Sequence, residues 1–307
     1  MSKVPGKGGW RKPVAGGLVA MVAVTAVQAG TAHGLAAQYA LWSLDLGALV
    51  WGVVGLVAYA ALWVHLDDRP ARWHAVIFVT GVAATVVTLS SPLDTMGETV
   101  LLTMHMLEHM ALTLVAALLL VIGTPADMLQ QVRRLPVIGF IVERFWNLRG
   151  MVLYNVVILG WHVPFMYEAA LRNEAVHDFE HLCFLLFGML FWGPVVRPIT
   201  PARRRAGAPL RRLSGVFLAL LVNTILGSYI FFAQRVLYPT YAAAPRVWGL
   251  IDVHTDQSIA GGCLWVMGDM AYIIAAGVLV AAWMQRHGGA TDELSLDRAV
   301  RGGAEGA

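Results

Sequence analysis

The chain has 307 residues, 58% of them hydrophobic and 13% charged, with mean hydropathy +0.65, far from the averages of soluble domains. Its net charge of +3 and pI near 9.0 do not mark a nucleic-acid partner, because the basic residues gather in alternate loops, where they report membrane orientation. Nothing points to nucleotide binding either, since the sequence has no phosphate-cradling glycine loop and no soluble domain to carry one.

A window of roughly 20 residues, the length that crosses ~30 Å of hydrocarbon, finds eight apolar segments at about 13–32, 46–64, 73–91, 99–122, 150–167, 178–196, 213–233 and 257–284. They predict an all-α polytopic membrane helical bundle, with seven transmembrane helices plus an N-terminal apolar segment. That first segment has two readings. The basic residues Lys3, Lys7, Arg11 and Lys12, the apolar run Val14 to Val27 and small residues at Ala29 or Ala32 suit a secretory signal peptide; an uncleaved eighth helix fits equally. Residues 1–33 therefore form a signal peptide or first helix, 34–286 a seven-helix membrane domain, and 287–307 a polar tail.

The connections alternate in charge. Arg69 and Arg72 follow the second segment, Arg133, Arg134, Arg144 and Arg149 the fourth, and Arg197, Arg203, Arg204, Arg205, Arg211 and Arg212 the sixth. The intervening connections carry Asp45, then Asp94 and Glu98, then Glu168, Glu174 and Asp178, and finally Asp252 and Asp256 beside Arg235 and Arg246. By the positive-inside rule the C-terminus is cytoplasmic, and the expected location is the plasma (inner) membrane of a bacterium. The longest loop, 123–149, is expected to include an interfacial amphipathic piece.

His105, Glu108 and His109 fall inside the fourth segment. Ionisable groups at that depth are expensive and tend to mark ligand sites, ion paths or proton relays. With the orientation above, His105 and His109 lie roughly 9 and 15 Å below the outer end of their helix, and His162 about 8 Å below the outer end of the next. His177 and His181 begin the helix that runs back in. Histidines from three consecutive helices thus converge in the outer half of the membrane, and the pairs His105/His109 and His177/His181, four apart, each share a helix face.

Met104, Met106, Met110, Cys183 and Cys263 lie at similar depth. Soft sulfur with imidazole suits Cu(I) better than calcium or magnesium, although methionine and cysteine in apolar helices more often serve as packing. The candidate metal ligands are therefore His105, His109, His162 and His181, with His177, Met106 and Cys263 as lesser candidates. The spacing His105, Glu108, His109 also matches the H-x-x-E-H pattern of inverted zinc peptidases, but a five-residue pattern recurs by chance, and Glu108 could equally orient a histidine. Asp269, mid-helix in the last segment, needs a partner or a proton, and Asn223 is a candidate for a buried network. The loop carrying Tyr238, Pro239, Tyr241, Pro245, Arg246 and Trp248 could cover the site. His65, His74 and His287 are expected to be solvated.

Several stretches together carry a resemblance: His105-Met106-x-x-His109 with the run to Gly123-Thr124-Pro125, Trp161-His162-Val163-Pro164, His177-x-x-Glu180-His181, Leu237-Tyr238-Pro239-x-Tyr241, and Asp256-Gln257 with Gly261 and Trp265. Over about residues 40–285 this ordered set resembles the polytopic CtaG family, assembly factors of caa(3)-type cytochrome c oxidase. The resemblance implies a seven-helix membrane protein that is not an enzyme, that acts on haem-copper cytochrome c oxidase subunits, and that supplies copper to the catalytic one. Glu108 departs from the neutral polar residue expected there, and Asp269 from a small or apolar one, which leaves open an added acid-base or ion-handling role. Two alternatives remain: a b-type haem protein using two of these histidines axially, or a copper or proton permease with a polar path through Asn155, Asn223 and Asp269.

Overall fold

In hydrocarbon every backbone N–H and C=O must find its partner within its own segment, so the apolar runs form helices. The computed structural model describes residues 42–66, 68–196, 208–246 and 251–304, with side chains as far as 285. The apolar segment at 13–32, Arg197, Arg203, Arg204, Arg205, Trp248 and the side chain of His287 lie outside the described residues. The helices are α1 (Leu46–Val64), α2 (Trp73–Ser90), α3 (Pro92–Thr99), α4 (Leu102–Gly123), α5 (Ala126–Val132), α6 (Pro136–Phe145), α7 (Leu148–Trp161), α8 (Pro164–Arg172), α9 (Glu174–Val196), α10 (Ala208–Phe232), α11 (Pro239–Ala243) and α12 (Val253–Ala304). Among the described residues, six helices (α1, α2, α4, α9, α10 and α12) are long and apolar enough to span a membrane. The protein is an all-α, multi-pass membrane bundle.

A bent helix pair stands where a seventh straight span was expected. The run expected to be one helix over 150–167 divides into α7 and α8, which bend by 72°. Pro164 opens α8 at a position where its missing N–H costs nothing, and it holds Val163 extended at φ −64°, ψ 128°, as the residue before a proline prefers. His162 sits at this corner. The loop 123–149 folds as α5 and α6, and α6 presents Val137, Ile138 and Phe140 outward while burying Gly139 and Val142, the pattern of a helix lying in an interface.

The core between the spans is apolar, with Met151, Tyr154, Phe191, Val216 and Tyr272 all buried. Large apolar side chains such as Trp51, Val57, Phe217 and Ile274 point outward, the inverse of a soluble protein, as lipid contact requires. The pair α10 and α12 packs through small residues: a Cβ on Gly261 would lie 2.4 Å from the Phe231 nitrogen, and one on Gly227 2.7 Å from the Trp265 Cβ. Such close approach lets packing hold helices together where the hydrophobic effect does not. Asn223 and Thr224 of α10 donate to the Asp269 carboxylate of α12 at 2.8 and 2.6 Å, so Asp269 has partners and clasps the same two helices.

The first turn of α4 has no side-chain cap of its own. Its open N–H groups are satisfied by Asp256 of α12, which accepts from Leu102 N at 2.8 Å and from Thr103 N at 3.1 Å, with the Thr103 hydroxyl adding a bond of 2.7 Å. A carboxylate there also faces the positive end of the helix dipole. Asp256→Ala leaves buried donors unpaired and is expected to cost about 1–3 kcal/mol; thermal unfolding in detergent checks this, with His254→Ala, on an exposed residue of the same helix turn, as the neutral control.

Candidate metal centre

The helices α4 and α9 run in the same direction and bring their first turns together. Each carries the same five-residue pattern, His105-x-x-Glu108-His109 and His177-x-x-Glu180-His181. The four imidazole rings make a quadrilateral: centroids lie 4.1 Å apart along each helix, 5.2 Å between His105 and His177, and 5.7 Å between His109 and His181. Each glutamate reaches across to the other helix. Glu180 approaches His105 and His109 at 4.0 and 3.9 Å, and Glu108 approaches His181 at 3.6 Å. Glu108 therefore acts between helices, not as a base beside its own histidine pair. All six side chains are buried, Glu108 and Glu180 at 0% exposure.

The remaining predicted residues divide. His162, at the α7–α8 corner, faces His109 with a centroid distance of 6.0 Å. Met106 packs instead into an apolar cluster with Leu102, Met110, Tyr167, Tyr238 and Tyr241. Cys183 packs with Trp161, Ala170 and Phe184, and Cys263 is half-buried and belongs to neither ligand group described below. His65 is exposed, whereas His74 is half-buried, stacked on Trp73 at 3.7 Å and bonded to the Ala71 carbonyl at 3.2 Å.

Three acidic residues that were not among the candidate ligands also belong here. Glu180 is central. Asp94 and Glu98, taken as orientation charges in a loop, lie on α3, which packs so tightly on α4 that a Cβ on Gly97 would be 2.9 Å from the His105 Cα. Burial, together with neighbouring Glu98, pushes the Asp94 carboxyl up to about 7. The signal for Glu180 was present in the repeated H-x-x-E-H pattern; the sequence gives none for Asp94 and Glu98, because only packing brings α3 to the cluster.

Two observations test whether these residues suit a metal ion. First, both ring nitrogens of His105 and His109, Nε2 of His162, His177 and His181, and all four oxygens of Glu108 and Glu180 are buried without a hydrogen-bond partner. Buried polar atoms are almost always satisfied, so a convergent unsatisfied set is a donor set. Secondly, the Nδ1 of His162 is bonded to the Ile158 carbonyl at 2.8 Å and the Nδ1 of His177 to Glu98 at 2.6 Å. Holding Nδ1 fixes the tautomer and aims Nε2 inward, as partners of metal-ligating histidines do. Within the cluster, His105, His109, His177 and Glu180 offer ligand atoms within 4.8 Å of one another, and so do Asp94, His177 and His181. The residues fit a cation.

The loop after α10 covers one flank. Tyr238 stacks on Tyr167 at 3.9 Å and donates to the His162 carbonyl at 3.0 Å, while Tyr241 donates to the Gly97 carbonyl at 2.6 Å. Gln257, next to Asp256, holds this loop by accepting from Leu237 N at 2.8 Å and donating to the Arg235 carbonyl at 3.0 Å. Towards the middle of the bundle a cavity of about 20 Å³ lies against His109, His162, Thr113, Asn155 and Tyr154, room for about one water. A wider cleft of about 440 Å³ between α1, α2 and α9 reaches His181 from the side. Just beyond His109 the helix α4 is π-helical over Ala111–Ala116, a local widening frequently found at functional sites.

The family model described as cytochrome c oxidase caa3 assembly factor (Caa3_CtaG) matches residues 57–286, which include every residue of the cluster. Among curated proteins, the chain is 25% identical over 267 residues to uncharacterized protein Mb0105 of Mycobacterium bovis, covering 80% of this chain and 40% of that protein. It is 24% identical over 270 residues to uncharacterized protein ML1998 of Mycobacterium leprae, covering 81% and 40%. The chain thus spans about 40% of the length of the curated relatives it matches. No solved structure matches it.

Proposed function

The chain belongs to the cytochrome c oxidase caa3 assembly factor family, and on that premise we propose that it carries copper in the buried cluster and delivers it to the catalytic subunit of a haem-copper oxidase. It is a carrier, not an enzyme, and the ion is its cargo. The observation that supports this reading is the convergence of unpartnered nitrogens and carboxylate oxygens from α4, α7 and α9, a donor set of the kind that binds a cation. The arginine-rich connections after α1, α4 and α9 support a bacterial inner-membrane orientation with the C-terminus in the cytoplasm and the cluster towards the outer face.

The donor set refines the ion. Cu(I) was expected from nearby sulfur, but Met106 faces the tyrosines and neither cysteine joins the ligand groups. Imidazole with carboxylate suits Cu(II) or Zn(II) better than Cu(I), so the proposed bound form is divalent copper. The haem alternative needs two axial histidines facing one ligand-sized space, and the arrangement gives it little support: the cavity beside His109 and His162 is about 20 Å³, and the cleft of about 440 Å³ has His181 as the one histidine in its lining.

Deletion of the protein is expected to leave the oxidase subunits inserted in the membrane but low in copper and poorly active, with wild-type chain restoring both. Copper analysis and oxygen uptake of isolated membranes make the check. Normal oxidase copper and activity in the deletion strain would overturn the assignment, and a Soret band in the purified protein would return the reading to haem.

A further inference from the structure

We propose that the cluster holds two cations side by side, one within His105, His109, His177 and Glu180, the other within Asp94, Glu108 and His181. The inference rests on reading the cluster as a metal centre and adds to it a second ion, with distinct ligands and a distinct task.

The ligand geometry comes first. The two groups of ligand atoms that lie within 4.8 Å overlap only at His177. That histidine has its Nδ1 engaged by Glu98 at 2.6 Å, so its single free nitrogen, Nε2, completes one group and not both. Given to the first group, it closes a set of four protein ligands. The second group then keeps Asp94 and His181, and Glu108 stands ready beside them, its Oε1 3.6 Å from the His181 Nε2.

Charge gives the same count. Glu108 and Glu180 are both fully buried, and the contact Glu108 makes with Asp94 is with another acid. An ion among His105, His109, His177 and Glu180 compensates Glu180 and leaves Glu108 as a buried acid against the Asp94 carboxyl and His181. Buried charges are retained where they are paired, and a second cation pairs this one. The repeated pattern has the same consequence, because each H-x-x-E-H segment lends its glutamate to the other helix. Helical bundles that hold two metal ions likewise draw glutamate and histidine from facing helices.

The two positions differ in access. Four protein ligands make a closed site, whereas three leave a coordination position for an incoming or departing ligand. The open site is also the one next to half-buried Asp94 on α3 and to His181, which lines the side cleft. The geometry therefore assigns storage to the first site and exchange to the second.

The test loads the purified full chain in detergent with Cu(II), removes excess copper by desalting, and measures copper per chain together with the EPR spectrum. Two coppers per chain are expected. The Cu(II) signal should grow through the first equivalent and lose intensity through the second, because rings 4.1 to 5.7 Å apart place the ions close enough to couple. Asp94→Asn, a change of one atom at a half-buried position, should bind one copper with full signal. One copper per chain in both proteins, or two uncoupled coppers unaffected by Asp94→Asn, overturns the two-ion inference and leaves the metal centre standing. No retained copper overturns both.

Discussion

His109→Ala is expected to lower copper affinity by more than about 100-fold and to reduce cellular oxidase activity to the level of a deletion strain. His109 is buried, both its ring nitrogens lack partners, and it faces Glu180 at 3.9 Å and His162 across the α7 corner. Loss of an outer orienting partner at a metal site typically costs 10- to 100-fold, and a direct ligand costs more. Glu98→Gln should fall within that 10- to 100-fold range, since it loosens the hold on the His177 Nδ1 without removing a ligand. His65→Ala, on an exposed residue outside the cluster, should change nothing. Isothermal titration with Cu(II) and membrane oxygen uptake measure the series, and a His109→Ala protein that binds copper as the parent does would remove this residue from the site.

The second large effect concerns two adjacent glycines with opposite outcomes. Gly261→Leu drives a side chain into the backbone of α10, where the Phe231 nitrogen stands 2.4 Å and the Gly227 oxygen 2.7 Å from the new Cβ. Backbone cannot give way as a side-chain tip can, so the helices must part. The expected cost is at the upper end of the 1–3 kcal/mol typical of overpacking, or beyond it. Gly262→Ala meets only the Phe231 ring at 3.4 and 3.5 Å, an ordinary contact, and should be within about 0.5 kcal/mol of the parent. Thermal unfolding of the two proteins in the same detergent separates them; equal midpoints would mean that the α10–α12 contact does not limit stability.

Hydropathy made the spans readable, because each must be about 20 apolar residues long and the loops between them carry the charge. The break at His162-Val163-Pro164 was less readable: Pro164 signals a helix boundary, but apolar residues continue on both sides, so the window runs straight across it. The histidine pairs were legible from their spacing of four. Helical phase also contained the answer for Met106, which sits 100° from His105 and so faces the tyrosines when His105 faces α9. Glu180 could have been found by comparing the two five-residue patterns with each other. Asp94 and Glu98 could not, since their place beside His177 depends on α3 folding back onto α4 at Gly97, a contact with no periodic trace in the sequence.

The bond between Asp256 and the start of α4 spans 154 positions, and it therefore sets an order of events in biosynthesis. Every ligand of the cluster has left the ribosome by His181, yet the helix that carries His105 and His109 lacks its cap, and the covering tyrosine loop lacks Gln257, until α12 has been made. At 5–20 residues per second, the synthesis rate at which domains emerge N-terminal end first, the stretch from His181 to Asp256 corresponds to roughly 4–15 s. Over that interval the histidines exist without the arrangement that makes them a site. On the proposed reading of the cluster as a metal centre, loading would then follow completion of α12.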